Sequence, residues 1–578
     1  MLGLQAAPAR RAWTAAALIA LTFFAATAPT LKMLEFSSSM ENLVVATSLE
    51  IRRTGAWLIP TLEGEPRVAK PPLAAWIGAA AIRSSTFAAL DQPAQAERAA
   101  GYRSLAWDIR WPALLASCVM LLAVFDLGRT LANARIGLIA MIVCGSSAFL
   151  LRFGAQATTD VQLALWTTVA NAAIARVLFQ ERQFPAAVVA GAALGLALMS
   201  KGPVAFLQTL LPAALFMAWR WRIGIALRIR AGHLIAAAIL MILIGGGWYA
   251  IVAARDPNVW ARWSIEVTRK ISGERADHPL SYLAIFAYML PWTPVLVHGL
   301  IWTAVEAVSP LRTRTPPSRE TQGMVFALLL LIVPIITMSF VPDRKVRYLL
   351  PMAAPAALLA ARGLSATLDP ADPRRVPQWA VWATLLVMSV ALCVAGTKYL
   401  RTVDGDPWYS RRAAAGIAVA SAAIISLGYV ASRSRPLLTV IGPACVMLLL
   451  QPIVLAGYRN SREGRSEMRP LAEMIRRLVP DARMYYWRPE GMKRASVDLA
   501  IYLNRPTRWI ANPTALPPDE HPQVVVAQQP RGGPELAPPP GWVPLGQTPR
   551  DANWFHAFLR DTKSPSPTGG FAPVPPAE

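Results

Sequence analysis

Charge is what this 578-residue chain has least of. Only 16% of its residues are charged and 54% are hydrophobic, whereas a soluble domain carries about 25% charge. That balance excludes an ordinary soluble protein. Acidic residues are the scarcer sign, 34 against 57 basic, and the formal charge is +23. Such an excess can mark a nucleic-acid binder. In a chain this apolar it is accounted for by lysine and arginine anchoring loops at a cytoplasmic face, and no nucleic-acid partner is expected. Cysteine is limited to Cys118, Cys144, Cys393 and Cys445, all inside apolar runs. They read as small core residues, not as disulfides or metal ligands. No Ala-x-Ala cleavage site stands at the end of the first apolar run near Leu34, and polar loops and further spans follow, so it is expected to be a retained span. A glycine-rich phosphate loop and a closely spaced metal-ligand set are both missing. No cofactor is called for, and a divalent metal is left open.

What is present is a long series of apolar runs, each near the roughly 20 residues that cross a bilayer. They lie near 12–34, 111–128, 136–151, 161–178, 184–200, 203–219, 232–254, 280–302, 323–341, 346–362, 379–397, 412–430 and 437–457. The expected fold is therefore an α-helical polytopic membrane protein with about 13 transmembrane helices. The stretch 71–82 is too short to span and fits an interfacial or re-entrant helix. With the N-terminus cytoplasmic, alternate loops such as "RWRIGIALRIR" and "ASRSRP" are short and basic, as the positive-inside rule requires. The first loop (35–110) and the tail then lie outside.

The tail differs in kind. "SEMRPLAEMIRRLVP" has an amphipathic helical face at Leu471, Met474, Ile475 and Leu478, while "ARMYYW", "SVDLAIYLN" and "QVVVAQQ" read as strands. The expected organisation is a transmembrane domain at 1–457, a small extracytoplasmic α/β domain at 458–560 and a disordered tail at 561–578.

Two carboxylates fall at the outer face in this topology. Glu41 follows the first span, and Asp160 ends "LLRFGAQATTD". Carboxylates there can take a proton from, or orient, an acceptor hydroxyl or amine; an ordinary interfacial carboxylate is the plainer alternative. Cations gather on the same side: Lys70, Lys201, Lys345 and Arg347, with Arg255, Arg262, Arg269, Lys270 and Arg275 in one further loop, where Arg255, Glu266 and His278 form a candidate substrate loop. They can hold a phosphate and stabilise a leaving group, or simply meet anionic headgroups.

An ordered series of motifs runs through the first 360 residues or so: "GAWLIPTLEGEPRVAKPPLAAW" (55–76), "RWPALLA" (110–116), "RFGAQATTDVQLAL" (152–165), "GLALMSKGP" (195–203), "GGWYAIVAARDP" (246–257), "LPWTPVL" (290–296) and "DRKVRYLLPMAAPAALL" (343–359). In this the chain resembles the polytopic glycosyltransferases of the aminoarabinose-transferase type, relatives of the protein O-mannosyltransferases. The resemblance implies a GT-C fold, a bacterial inner-membrane location and a polyprenyl-phosphate sugar donor used at the non-cytoplasmic face. The acceptor is a lipid, glycan or protein. It implies acceptor-handling roles for Glu41 and Asp160, and donor-phosphate roles for Lys70 (the Lys-Pro lysine), Lys201 (the Lys-Gly lysine), Lys345 and Arg347. The chain departs from the pattern at Met40, where the family's acidic pair begins with aspartate. The rival readings are a transporter or flippase for a phosphorylated lipid, and an inactive binder of a lipid-linked sugar. The transporter reading lacks a visible inverted repeat of the spans.

Overall fold

The computed structural model describes residues 9–36, 39–180, 183–225, 229–271, 277–313, 316–400, 407–460, 466, 468–487, 497–530, 532, 536–550 and 553–560. The expectations for Arg275 and for the 561–578 tail lie outside the described residues, as do the side chains of Arg269 and Lys270. The chain divides into two compact units.

The first unit comprises Met1–Met33, Val68–Ala74 and Arg110–Asn460. Among the described residues, eleven helices are long and apolar enough to cross a membrane. Each corresponds to one of the runs identified in the sequence. The other two runs give shorter apolar helices, Ala134–Gly145 and Gln378–Ala391. The first of these stops because Ser146 and Ser147 interrupt it. Ser147 Oγ accepts the Leu150 N–H and starts a separate helix, Ala148–Phe153. Twelve residues rise only about 18 Å, well short of a bilayer core. The run at 280–302 is likewise broken, and its spanning helix begins at Thr293.

The most enclosed span is Val346–Thr367, with 94% of its apolar window buried. It opens as a 3-10 turn, Val346–Met352, and continues as the helix Ala353–Thr367. The helix Thr293–Thr313 lies against it at Gly299 and Gly363. A Cβ at either position would stand 2.0 Å from Leu359 O or 2.3 Å from Val295 O. Without a hydrophobic drive between helices in lipid, such small-residue contacts supply the packing. Below them Arg362, 4% exposed, bonds Glu306 at 2.6 Å and Thr303 Oγ1 at 3.1 Å, with its guanidinium 4.4 Å from the Trp302 ring centroid.

The second unit comprises Leu34–Arg67, Ala75–Ile109 and Ser461–Glu578. Most of the first loop thus packs with the C-terminal region. Its five-stranded sheet has the order β4-β3-β5-β7-β6, from β3 (Arg483–Trp487), β4 (Thr507–Ile510), β5 (Gln523–Pro530), β6 (Val543–Arg550) and β7 (Asn553–Arg560). β3 runs parallel to β4 and β5, and β7 runs antiparallel to β5 and β6. The "SVDLAIYLN" strand expectation is corrected: Val497–Leu503 is a helix. Parallel β3 and β4 need a crossover, and this helix supplies it, ending at Asn504 with φ 45°. The amphipathic helix is present as Met468–Leu478; Leu471, Met474 and Ile475 are buried, but Leu478 is 43% exposed.

Ion pairs tie the first-loop segments to the C-terminal segments: Arg98 to Glu473, Arg476 to Asp91 at 3.0 Å, and Arg469 to Glu35 at 2.6 Å. Tyr502 is buried and accepts the Phe36 N–H at 3.2 Å. Burial, and then the Glu35 charge, raise its phenol well above the ordinary range.

Candidate active site

The site in the first unit is built where helix ends meet. The helix Thr159–Phe179 starts after Thr158, which is extended (φ −124°, ψ 158°), and this sets Asp160 in the first turn. A carboxylate there complements the positive end of the helix dipole. After a short connection the chain returns as Gln183–Lys201, so Lys201 falls in the last turn, where a cation is favoured. Gly202 ends that helix. Its φ is +76°, and its N–H donates to Leu198 O at 2.8 Å. The left-handed conformation is what glycine adopts without strain, so the Lys-Gly pair fixes where the lysine leaves the helix.

Asp160 is 1% exposed. Lys201 Nζ donates to its Oδ1, and Arg347 Nε lies 3.4 Å from its Oδ2 as an ion pair without hydrogen-bond alignment. The lysine and arginine side chains are 10% and 25% exposed. Tyr348 backs the group: Lys201 Nζ stands 3.7 Å from its ring centroid and the Arg347 guanidinium 5.3 Å. The Tyr348 hydroxyl donates to Asp343 Oδ2 at 2.9 Å. Lys345 is placed differently from its expected companions. Its Nζ bonds both oxygens of Asp277 at 2.8 Å.

Lys70 belongs to the Val68–Ala74 segment of the same unit and is half-buried. Two residues before it, Val68 O accepts the Trp263 Nε1 proton at 2.9 Å. Trp263 stacks edge-on with Tyr249 at 5.4 Å, and the Tyr249 hydroxyl lies 3.1 Å from where a Gly202 Cβ would stand. A chain of contacts therefore runs from the Lys70 segment to the Lys201 helix end. Trp263 sits on Val259–Ile271, a helix where a loop was expected. Glu266 is half-buried on that helix, Arg262 pairs with Asp256 at 3.5 Å, and Arg255 is exposed. His278 is exposed, and its Nδ1 accepts the Leu280 N–H at 3.2 Å. The ion pairs around Asp160 are made without Arg255, Arg262 and His278.

Glu41 lies in the second unit, 2% exposed, in the first turn of the helix Ser39–Thr54. Nearby, Asn42 Nδ2 donates to Phe36 O at 3.2 Å. Glu50 on the same helix is structural. It accepts from Thr61 Oγ1 at 2.6 Å, Glu63 N at 2.8 Å and Gly64 N at 2.9 Å, capping the hairpin of β1 (Thr61–Leu62) and β2 (Glu65–Pro66).

Sequence reasoning assigned no role to Tyr348, Asp343, Asp277, Tyr249 or Trp263. The available signal was acid among base: Asp343 sits two positions before Lys345 in "PDRKVRY".

Residues 102–248 match the family model of the dolichyl-phosphate-mannose-protein mannosyltransferases. An undecaprenyl phosphate-alpha-4-amino-4-deoxy-L-arabinose arabinosyl transferase of Sodalis glossinidius is 27% identical over 336 residues, 56% of this chain and 53% of that relative. The chain thus spans about half the length of that relative. A Pseudomonas fluorescens protein of the same name is 24% identical, over 78% of this chain and 76% of its own length. The crystal structure of ArnT from Cupriavidus metallidurans bound to undecaprenyl phosphate superposes with a TM-score of 0.68 at 18% identity, covering 95% of this chain and 99% of that one. The fold is that of a polytopic membrane protein of the GT-C type, as in ArnT, and in sequence the chain is similar to the aminoarabinose transferases.

Proposed function

We propose that this protein is a glycosyltransferase that moves a sugar from a polyprenyl-phosphate carrier to an acceptor at the outer face of a bacterial inner membrane. The observation that carries the reading is the Lys201–Asp160–Arg347 group: two cations from different helix ends brought onto one buried carboxylate. The similarity to transferases named for undecaprenyl-phosphate sugars supplies the donor class.

The donor phosphate meets Lys201 and Arg347, with Lys70 reaching it from the Val68–Ala74 segment. The acceptor oxygen or nitrogen attacks the anomeric carbon, and the carbon–oxygen bond to the phosphate breaks in a single inverting displacement. The electron pair leaves with the polyprenyl phosphate. Charge grows on that phosphate as the bond breaks, so the cations act most strongly in the transition state. The acceptor's proton passes to a carboxylate. Asp160 takes this role beside the donor cations. Glu41 is assigned an acceptor role on the sequence resemblance alone.

Purified protein in nanodiscs, given a polyprenyl-phosphate pentose or hexose series and membrane lipid acceptors, should release polyprenyl phosphate with sugar transfer. Lipid moved between leaflets with no bond cleaved would favour the flippase reading, and binding without turnover the inactive one. Lys70→Ala should weaken donor use by roughly tenfold or more, as for a charge-assisted contact. Glu41→Gln should slow transfer by about 10²–10⁴-fold with donor affinity kept.

A further inference from the structure

Five hydrogen bonds join Asp277 to the stretch just before Arg347. The Asp277 N–H donates to Pro342 O at 3.1 Å. Its Oδ2 accepts the Arg344 N–H at 2.9 Å, and its carbonyl accepts Arg344 Nη1 at 2.8 Å. Lys345 Nζ bonds both carboxylate oxygens at 2.8 Å. Arg344 Nε also donates to Ser339 O at 2.9 Å, at the end of the helix Arg319–Ser339. Backbone and side chain are engaged on both partners. Lys345 thus engages both oxygens of one carboxylate, whereas Lys201 and Arg347 share the single carboxylate of Asp160. Two residues after Lys345, the chain delivers Arg347 to Asp160.

We infer that Asp277 is a positioning residue for the donor site: it holds residues 342–345 so that Arg347 is presented to the phosphate, and Lys345 serves as its latch instead of as a phosphate ligand. This rests on the donor-site reading given above. Asp277 acts on the reaction only through Arg347, and it reaches Arg347 through the fixed backbone. The two views of Lys345 differ in sign. If Lys345 is a latch, loss of Asp277 loosens the segment and weakens donor binding. If Lys345 is a phosphate ligand held in reserve, loss of Asp277 frees its ammonium and tightens binding.

The test is the affinity of nanodisc-held full-length protein for undecaprenyl phosphate, with thermal unfolding measured alongside. Asp277→Ala should raise Kd by roughly tenfold. Lys345→Ala should do the same, the double variant should be no worse than either single, and Asp277→Glu should restore affinity to within about threefold. Should Asp277→Ala fail to fold, Asp277→Asn, which keeps the volume and both backbone bonds, carries the same prediction in smaller measure. Tighter binding in Asp277→Ala or Asp277→Asn overturns the inference. So do losses that add in the double variant, or a lowered melting point with unchanged affinity. If the unaltered protein binds no undecaprenyl phosphate, the donor-site reading itself falls.

Discussion

Asp160→Asn removes one charge and almost no volume from the centre of the site. Two cations then share a neutral amide in place of a carboxylate. An exposed ion pair contributes about 0.2–1 kcal/mol, whereas breaking a buried one costs about 3–5 kcal/mol. Asp160 is buried, but its partners keep 10% and 25% exposure. The amide oxygen can still accept from Lys201. The expected loss of stability is therefore about 2 kcal/mol, between those limits. Unfolding can be followed with a thiol-reactive dye in a Cys393→Ser, Cys445→Ser background, because the remaining Cys118 and Cys144 are only 6% and 0% exposed. The melting point should fall by a few degrees. Donor phosphate, by contrast, no longer competes with a resident carboxylate, so undecaprenyl phosphate should bind at least as tightly as before. Single-turnover transfer should slow by about 10²-fold or more. Transfer at the unaltered rate would remove Asp160 from acceptor handling. A donor affinity weakened more than about tenfold, 1.4 kcal/mol, would show that the carboxylate builds the phosphate site instead of occupying it.

Gly202→Ala forces a side chain into the left-handed region and toward the Tyr249 hydroxyl; it should cost about 1–2 kcal/mol and weaken donor binding, as read by melting and titration of the purified variant. Glu306→Ala strands the Arg362 guanidinium, which is 4% exposed, and should cost about 2–4 kcal/mol, discounted from a fully buried pair because Glu306 is 25% exposed. In a cysteine-free background, cysteines at the exposed positions Glu65 and Glu520 should react with an impermeant reagent in intact cells, and one at Arg375 only after permeabilisation; the opposite pattern would invert the proposed topology.

The membrane helices were legible because length and hydropathy alone set them. Of the thirteen apolar runs, eleven gave helices of spanning length among the described residues and two gave shorter ones; local chemistry such as the Ser146–Ser147 interruption was missed. The "SVDLAIYLN" segment was misread because a short apolar run carries no decisive period. Its helical state follows from a crossover that appears only once β3 and β4 pair. The joining of the first loop to the tail rests on pairs such as Arg98–Glu473, whose partners are hundreds of residues apart. At the candidate site, Asp160, Lys201 and Arg347 were each singled out from separate motifs, but separate motifs do not disclose that the carboxylate sits against the two cations. Lys345 looked equivalent to Arg347 in "DRKVRY", since only the fold brings Asp277 to it.

The account stands on Lys201 and Arg347 holding the phosphate of a polyprenyl donor. The most direct measurement is equilibrium binding of undecaprenyl phosphate to the unaltered protein, to Lys201→Ala and Arg347→Ala, and to the double variant. Each single loss of a charge-assisted contact is worth about 1.5–3 kcal/mol, so Kd should rise by roughly 10- to 100-fold in each single variant and further in the double. Binding that is unchanged in the folded double variant would contradict the account.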